Sequence, residues 1–137
     1  MSLAVSPPEG VVTVRENEFV DQVAASMHAE DVGSVVVVDE TEKPTGVLTD
    51  RDLALALRER TDLEDVTAGD LMTEDPVTVE EGTSVVSVLD TMKSEGVRRV
   101  PVVDEAGDPV RVVSLDDALV LLGEELADVA ELVEEQV

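Results

Sequence analysis

Hydrophobic residues recur along the chain with a helical spacing in some segments and a strand-like density in others. Residues 20–27 carry apolar side chains at positions i, i+3, i+4 and i+7, which is the spacing of one buried helical face. Residues 34–39 include four consecutive valines, as in a strand that is covered on both sides. With a short strand at about 11–14, a turn at 40–44 and a second strand at 45–49 before another helix, the pattern predicts the order βαββα.

The same order returns 65 residues further along the chain without an insertion. The matched stretches include Val12-Thr13-Val14 with Val77-Thr78-Val79, and Val37-Val38-Asp39-Glu40 with Val102-Val103-Asp104-Glu105. An ungapped offset that holds across several elements indicates a duplicated structural unit. The sequence therefore predicts an α/β (α+β) protein built from two βαββα motifs, with Asn17 and Thr83 as the caps of the first helix in each motif.

The repeat divides the chain into four predicted segments. Motif 1 covers residues 1–60, and motif 2 covers residues 74–123. Residues 61–73 form a linker and entry turn, whose last part at 70–73 is expected to be a short helical turn. Residues 124–137 extend the final helix and contain six acidic residues and no basic residue.

The final helix carries an apolar stripe formed by Leu122, Leu126, Val129 and Val133. This spacing places the four side chains on one side of a helix. We expect the stripe to pack on the protein's own body. A contact with a second copy of the chain, or with another protein, is the alternative.

Acidic residues outnumber basic residues by 33 to 9, and the formal net charge is −24. Such a charge repels duplex nucleic acid, because binding to DNA depends on neutralising its phosphates. The chain is also unlike a disordered acidic tail, since 43% of its residues are hydrophobic and they recur periodically. The charge favours a protein of a halophile's cytoplasm, where molar salt shortens the Debye length to a few Å and screens the self-repulsion.

Several classes of chemistry lack the residues that they require. There is no cysteine for disulfide or thiolate chemistry, and His28 is the single histidine. The sequence has no Ser–His–acid arrangement, no Walker-type phosphate loop and no apolar run long enough to span a membrane. We therefore expect a cytoplasmic protein that is not an enzyme, requires no cofactor or metal, and binds neither nucleic acid nor membrane.

A hydroxyl residue is followed three positions later by aspartate at both junctions between hairpin and helix. The two pairs are Thr49 with Asp52, and Ser114 with Asp117. The free N–H groups at the start of the helix can receive a phosphate, and the carboxylate can accept hydrogen bonds from the hydroxyls of a ribose. Arg51 adds a guanidinium that can fork onto a phosphate. The alternative is that each Ser/Thr-x-x-Asp stretch caps its helix and binds no ligand.

Several stretches of both motifs resemble the CBS (cystathionine β-synthase) domain family. In the second half they are Asp70-Leu71-Met72-Thr73, Pro76-Val77-Thr78-Val79 and Gly96-Val97-Arg98-Arg99-Val100-Pro101-Val102-Val103-Asp104. In the first half they are Val32-Gly33-Ser34-Val35-Val36-Val37-Val38-Asp39 and residues 46–52. The chain is similar to a stand-alone tandem CBS pair of halophilic archaeal type. The resemblance implies that two pseudo-symmetric motifs pack sheet to sheet into one module and leave two clefts between them.

The resemblance also implies that an adenosine-containing ligand such as AMP or ATP binds in these clefts. The ribose contacts that it implies are Asp52 and Asp117, and the contacts near the sugar or phosphate are Thr49 and Ser114. The residues that it places beside adenine are Val12, Thr13, Val77, Thr78 and the backbone around Val35 and Val100-Pro101. Phosphate contacts are implied for Arg98 and Arg99.

Two differences between the motifs predict clefts that do not behave alike. Motif 1 has Gly33-Ser34 where motif 2 has Arg98-Arg99, and motif 2 has Arg111 where motif 1 has Gly46. The resemblance implies a regulatory sensor module that pairs into a homodimer and reports ligand binding to a partner protein. The alternative is a protein-interaction or structural module that binds no small molecule.

Overall fold

The computed structural model of the protein describes residues 11–59, 63–74 and 77–135. The elements of the first repeat are β1 (Thr13–Arg15), α1 (Val20–Glu30), β2 (Ser34–Val38), β3 (Pro44–Thr49) and α2 (Asp50–Glu59). The connection between the repeats contains α3 (Ala68–Leu71) and β4 (Thr73–Glu74). The elements of the second repeat are β5 (Val79–Glu80), α4 (Val85–Glu95), β6 (Arg99–Val103), β7 (Pro109–Ser114) and α5 (Leu115–Glu135).

The strands form two sheets that repeat each other residue by residue. One sheet has the order β1-β2-β3-β4 and the other has the order β5-β6-β7. In each sheet a parallel pair leads into an antiparallel hairpin, and the pairing of Val36 with Val47 recurs as that of Pro101 with Val112. The registers also shift at equivalent places, Val37/Val38 and Val102/Val103. The predicted α/β fold of two βαββα motifs is confirmed.

Valine supplies most of the buried surface in both halves. All four valines of β2 are buried, and so are the four residues that follow Arg99 in β6. In the first half, Val35 and Val37 pack with Met27 of α1, while Val36 and Val38 face the other side of the sheet because side chains alternate along a strand. That other side meets the second sheet, where β2 contacts β7. The prediction of strands covered on both faces is therefore confirmed.

Lys43 and Asp108 mark the pseudo-twofold axis between the repeats. Lys43 Nζ lies 2.7 Å from Asp108 Oδ1, and the two residues are 65 positions apart, so they occupy equivalent places in the two motifs. Equivalent residues can touch only where the axis relating the motifs passes between them. The turns that carry them are held by aspartates, since Asp39 Oδ1 accepts from Lys43 N–H and Asp104 Oδ1 accepts from Asp108 N–H. Hydrogen bonds from the Thr41 hydroxyl and nearby backbone N–H groups lower the pKa of Asp39.

The helix caps differ from those predicted. The N-cap of α1 is Phe19 and not Asn17, because a turn after β1 and a bridge between Phe19 and Thr67 delay the helix to Val20. The N-cap of α4 is Ser84, which accepts from Ser87 N–H at 3.2 Å. The Thr83 hydroxyl instead donates to the Glu80 carbonyl at 2.6 Å, so that it is already engaged.

The structure contradicts the prediction that the apolar stripe of the final helix packs on the body. Leu122 is half-buried and contacts the second core, but Leu126, Val129 and Val133 are 62%, 51% and 61% exposed. The reason is length, since α5 has 21 residues whereas α4, on which it packs, has 11. The later turns of α5 therefore lack a neighbouring element among the described residues. Within the same ranges, no helix is both long and apolar enough to cross a membrane.

The short strand β4, which the sequence pattern did not predict, leaves no room for a side chain at Gly46. β4 pairs with β3 opposite Gly46, and a Cβ added at Gly46 would overlap Met72 Sδ and lie 2.9 Å from the Thr73 carbonyl oxygen. Backbone at that distance cannot move aside without breaking the strand pair. The equivalent residue in the second repeat is Arg111, which is 6% exposed.

We expect Gly46→Ala to lower the free energy of unfolding by about 1–3 kcal/mol, because the added methyl group overpacks the contact with Met72 and Thr73. Urea denaturation measures this change. Gly123→Ala is the matched control: a Cβ there meets nothing within 4 Å, and alanine in a helix is favoured by about 1 kcal/mol over glycine. Equal stability of Gly46→Ala and the unsubstituted protein would contradict the close packing of β4.

Candidate functional site

Both hairpin-to-helix junctions form reciprocal capping boxes. Thr49 N–H donates to Asp52 Oδ2 at 2.9 Å, and Asp52 N–H donates to Thr49 Oγ1 at 3.2 Å. Ser114 and Asp117 repeat the arrangement at 3.0 and 3.1 Å. The capping interpretation of the Ser/Thr-x-x-Asp stretches is therefore realised. Capping still leaves an acceptor on each aspartate. The boxes use Oδ2, and the second oxygen of an ionised carboxylate can also accept hydrogen bonds.

The junctions are tied to the preceding strand of the same hairpin. Asp50 N–H donates to the Gly33 carbonyl at 3.0 Å, and Leu115 N–H donates to the Arg98 carbonyl at 2.7 Å. These bonds fix the first turn of α2 beside the start of β2, and the first turn of α5 beside the start of β6. Each capping box is thereby held at the edge of the interface between the two repeats.

The first cleft has a volume of about 690 Å³ and is built from both repeats. Six of the predicted site residues meet there: Thr49, Arg51, Asp52, Val77, Arg98 and Arg99. The other residues that line it are Val47, Asp50, Thr73, Glu95, Gly96 and Val97. The capping box of the first repeat thus faces the strand entry and the arginine pair of the second repeat.

The second cleft, of about 400 Å³, has the reciprocal construction. The predicted residues that meet there are Val12, Arg99, Ser114 and Asp117. The other residues that line it are Val11, Asp31, Val32, Gly33, Ser34, Arg111, Val112 and Asp116. The box of the second repeat thus faces the strand entry and the Gly33-Ser34 pair of the first repeat.

Three predicted site residues do not line either cleft among the described parts of the chain. Thr13 and Thr78 are exposed beside the strand entries, and the side chain of Pro101 is fully buried within β6. Their predicted ligand contacts stay predictions.

Pro101 acts on the first cleft in another way. In the first repeat, Val36 N–H donates to the Val12 carbonyl at 3.0 Å. Pro101 stands at the position equivalent to Val36, and Val77 is the equivalent of Val12. Because proline has no N–H, it cannot donate the corresponding hydrogen bond to the Val77 carbonyl. The parallel strand β5 accordingly begins at Val79, one residue later than the equivalent of Thr13. The two clefts therefore differ in backbone acceptors as well as in side chains.

The clefts concentrate the few positive charges of the protein. Of nine basic residues, four line the clefts: Arg51, Arg98, Arg99 and Arg111. The guanidinium of Arg111 is buried beside Glu81, whose carboxylate lies 3.9 Å away. In so acidic a chain, this distribution makes the clefts the places best suited to an anionic group.

The acidic lining of both clefts was not predicted from the sequence. Asp50 and Glu95 line the first cleft, and Asp31 and Asp116 line the second. Asp31 stands 65 positions before Gly96, and both residues end a helix in the left-handed conformation, at φ 53° and 67°, but this equivalence does not mark Asp31 as a residue of the cleft. The remaining acids carry no signal that separates them from the exposed carboxylates elsewhere.

Comparison with known proteins identifies the architecture. The family model described as "CBS domain" matches residues 7–59 and 68–124. An uncharacterized protein of Methanopyrus kandleri, MK0525, is 34% identical over 110 residues, which are 80% of this chain and 56% of that protein. This chain therefore spans little more than half of that relative's length.

Two solved structures show the same fold. The CBS domain protein PAE2072 from Pyrobaculum aerophilum, complexed with AMP, is 27% identical and covers 81% of this chain and 85% of its own, with a TM-score of 0.71. The CBS domain pair of protein MJ0100, in complex with 5′-methylthioadenosine and S-adenosyl-L-methionine, is 27% identical and covers 88% and 93%, with a TM-score of 0.73. With both repeats matched by the family model and both sheets reproduced in these structures, the chain belongs to the CBS domain family as a tandem CBS pair.

Proposed function

We propose that this protein is a regulatory module that binds an adenosine-containing ligand, AMP or ATP in particular, in the clefts between its two CBS motifs. One observation carries the proposal: each cleft joins an aspartate on a capped helix start to arginine and apolar residues, and draws them from both repeats. Two structural relatives support it, since PAE2072 was solved with AMP and the MJ0100 pair with two adenosyl compounds.

The residues of the first cleft suit the parts of a nucleotide. The carboxylate of Asp52 is held in place by the Thr49 N–H and can accept hydrogen bonds from ribose hydroxyls through its second oxygen. Arg51 and Arg98 are exposed cations on opposite walls that can contact a phosphate. Val47 and Val77 offer apolar surface for a base.

The second cleft offers the same kinds of group in a different balance. Asp117 is oriented by Ser114, and Val12 replaces Val77 at the strand entry. Its cations are Arg99 and the buried Arg111, and its volume is smaller. The predicted contacts of Thr13, Thr78 and Pro101 with adenine belong to the same proposal.

The regulatory role follows from the position of the clefts. A ligand that touches both repeats favours one relative packing of the two sheets when it binds that arrangement more tightly. We infer that a partner protein or the dimer interface reports this change, and that the module itself is not catalytic. CBS pairs are in general regulatory and non-catalytic.

We expect Asp52→Asn to weaken AMP binding in the first cleft about tenfold, because an amide replaces one charged acceptor for the ribose hydroxyls, a loss of about 1.5 kcal/mol. Asparagine keeps an oxygen for the Thr49 N–H, so the helix cap survives. Isothermal titration with AMP in molar KCl measures the affinity, and Asp117→Asn tests the second cleft in the same way.

Asp90→Asn removes one negative charge from an exposed position on α4 and is the matched control. Its AMP affinity should equal that of the unsubstituted chain. If AMP, ATP, NAD and S-adenosylmethionine all fail to bind the unsubstituted chain, the proposal is wrong and the interaction-module alternative is favoured.

We also propose that the chain forms a homodimer through the exposed stripe of α5. Leu122, Leu126, Val129 and Val133 recur at alternating steps of four and three residues, which is the spacing of a coiled-coil seam. The acids Glu124, Asp128 and Glu131 lie on the opposite side of the helix, so two copies can meet without opposing carboxylates. A different partner protein on the same stripe is the alternative.

Val129→Asn should convert the dimer to a monomer, because it places an amide in the centre of the exposed apolar seam. Ala127→Asn makes a similar change on the polar side of α5 and should leave the dimer intact. Light scattering in molar salt gives the mass of each. A monomeric unsubstituted chain, or a dimer that Val129→Asn does not affect, would exclude this interface.

We propose further that the protein works in the cytoplasm of a halophile, of archaeal type. The support is the net charge of −24, much of it on exposed carboxylates such as those of Glu124, Asp128 and Glu131. Salt at molar concentration screens their mutual repulsion within about 3 Å.

The melting temperature should rise as KCl is raised from about 0.1 M to about 3 M, because screening removes repulsion that is stronger in the compact state. Differential scanning calorimetry measures this dependence. NaCl at the same concentrations separates screening from an effect specific to potassium. A melting temperature that does not change with salt would reject the proposal.

A further inference from the structure

Arg99 lines both clefts. It is the first residue of β6 and pairs with Ser114 across the hairpin, which places it between the two capping boxes. Its guanidinium lies against Gly33 of the other repeat, where an added Cβ would be 3.4 Å from Nη1 of Arg99. The same point is 3.4 Å from Oδ2 of Asp50, so the guanidinium and a carboxylate of the first cleft both approach Gly33.

No other arginine of the described residues takes this position. Arg51 and Arg98 line the first cleft alone, and Arg111 lines the second alone. The repeat does not supply a second copy, because the equivalent of Arg99 is Ser34 and the equivalent of Arg98 is Gly33. The two clefts thus have one shared cation where a symmetric module would have two.

A single guanidinium cannot serve two phosphates as well as it serves one. Its fork donates two parallel hydrogen bonds to one phosphate, and this bidentate contact is the strong one. Turning the fork toward one cleft withdraws it from the other. The second phosphate would then enter a site that has lost a cation and keeps acids, Asp31 and Asp116 in the second cleft or Asp50 and Glu95 in the first.

We infer that Arg99 couples the two clefts negatively: a phosphate-bearing nucleotide in one cleft weakens the binding of a second in the other. This inference rests on the proposed adenosine binding. It also limits the coupling to ligands with a phosphate, since adenosine alone makes no demand on the guanidinium. Because coupling between two sites is reciprocal, either cleft can be the first to fill.

Methyl NMR resolves the two clefts separately, through Val77 in the first and Val12 in the second. The protein is titrated with AMP before and after the tighter cleft is weakened, by Asp52→Asn or Asp117→Asn. Weakening that cleft should lower the AMP midpoint of the other about fivefold or more, which is the lower end of usual coupling between sites. With adenosine, the midpoint should stay the same within about twofold.

Arg99→Ser installs the residue that the first repeat has at the equivalent position and should abolish the AMP coupling. Arg98→Ser is the matched control: it removes a neighbouring arginine that lines one cleft, so it should weaken AMP there and leave the coupling in place. If AMP occupies one cleft alone in the unsubstituted chain, Arg99→Ser should allow both to fill.

An AMP midpoint that does not change when the other cleft is weakened, or that changes equally with adenosine, would overturn the inference. So would AMP coupling that survives Arg99→Ser, an occupancy of one cleft that this variant does not change, or tighter binding of the second AMP than of the first. If neither methyl group responds to any adenosine compound, the proposed function itself fails, which is a different outcome from two clefts that bind independently.

Discussion

The burial of both faces of β2 and β6 is the constraint on which the rest of the molecule depends. One face of each strand packs on the helices of its own motif, and the other lies in the interface between the sheets. With one aromatic residue in the whole chain, valine provides this surface, and each buried valine contributes about 1.5–3 kcal/mol. A single motif would leave its inner sheet face in water, so the duplication is what makes a stable core.

The same interface creates the candidate sites. The start of β2 lies beside the end of β7, and the start of β6 lies beside the end of β3. A cleft therefore opens on each side of the pseudo-twofold axis. Because the sheets are locked by their buried faces, the edge residues are free to diverge. Gly33, Arg99 and Arg111 are residues of this kind, and the clefts differ in volume and in the number of arginines that line them, three in the larger first cleft and two in the second.

The fold could be predicted from the sequence because the repeat preserves register as well as composition, and both capping boxes were visible as Ser/Thr-x-x-Asp. Features that depend on contact between distant segments could not. β4 exists because Met72 and Thr73 meet Gly46, and the sharing of Arg99 by two clefts depends on its distance from Gly33. The stripe of α5 was assigned to the body because spacing shows which side of a helix is apolar but not whether a neighbour reaches it.

A crystal structure of the protein grown with AMP tests the central claim most directly. We expect nucleotide in at least one cleft, with its ribose hydroxyls on the second oxygen of Asp52 or Asp117 and its phosphate within hydrogen-bond reach of Arg99. A nucleotide bound elsewhere on the molecule, or a ribose that contacts neither aspartate, would contradict the view that the interface between the two repeats is the ligand site.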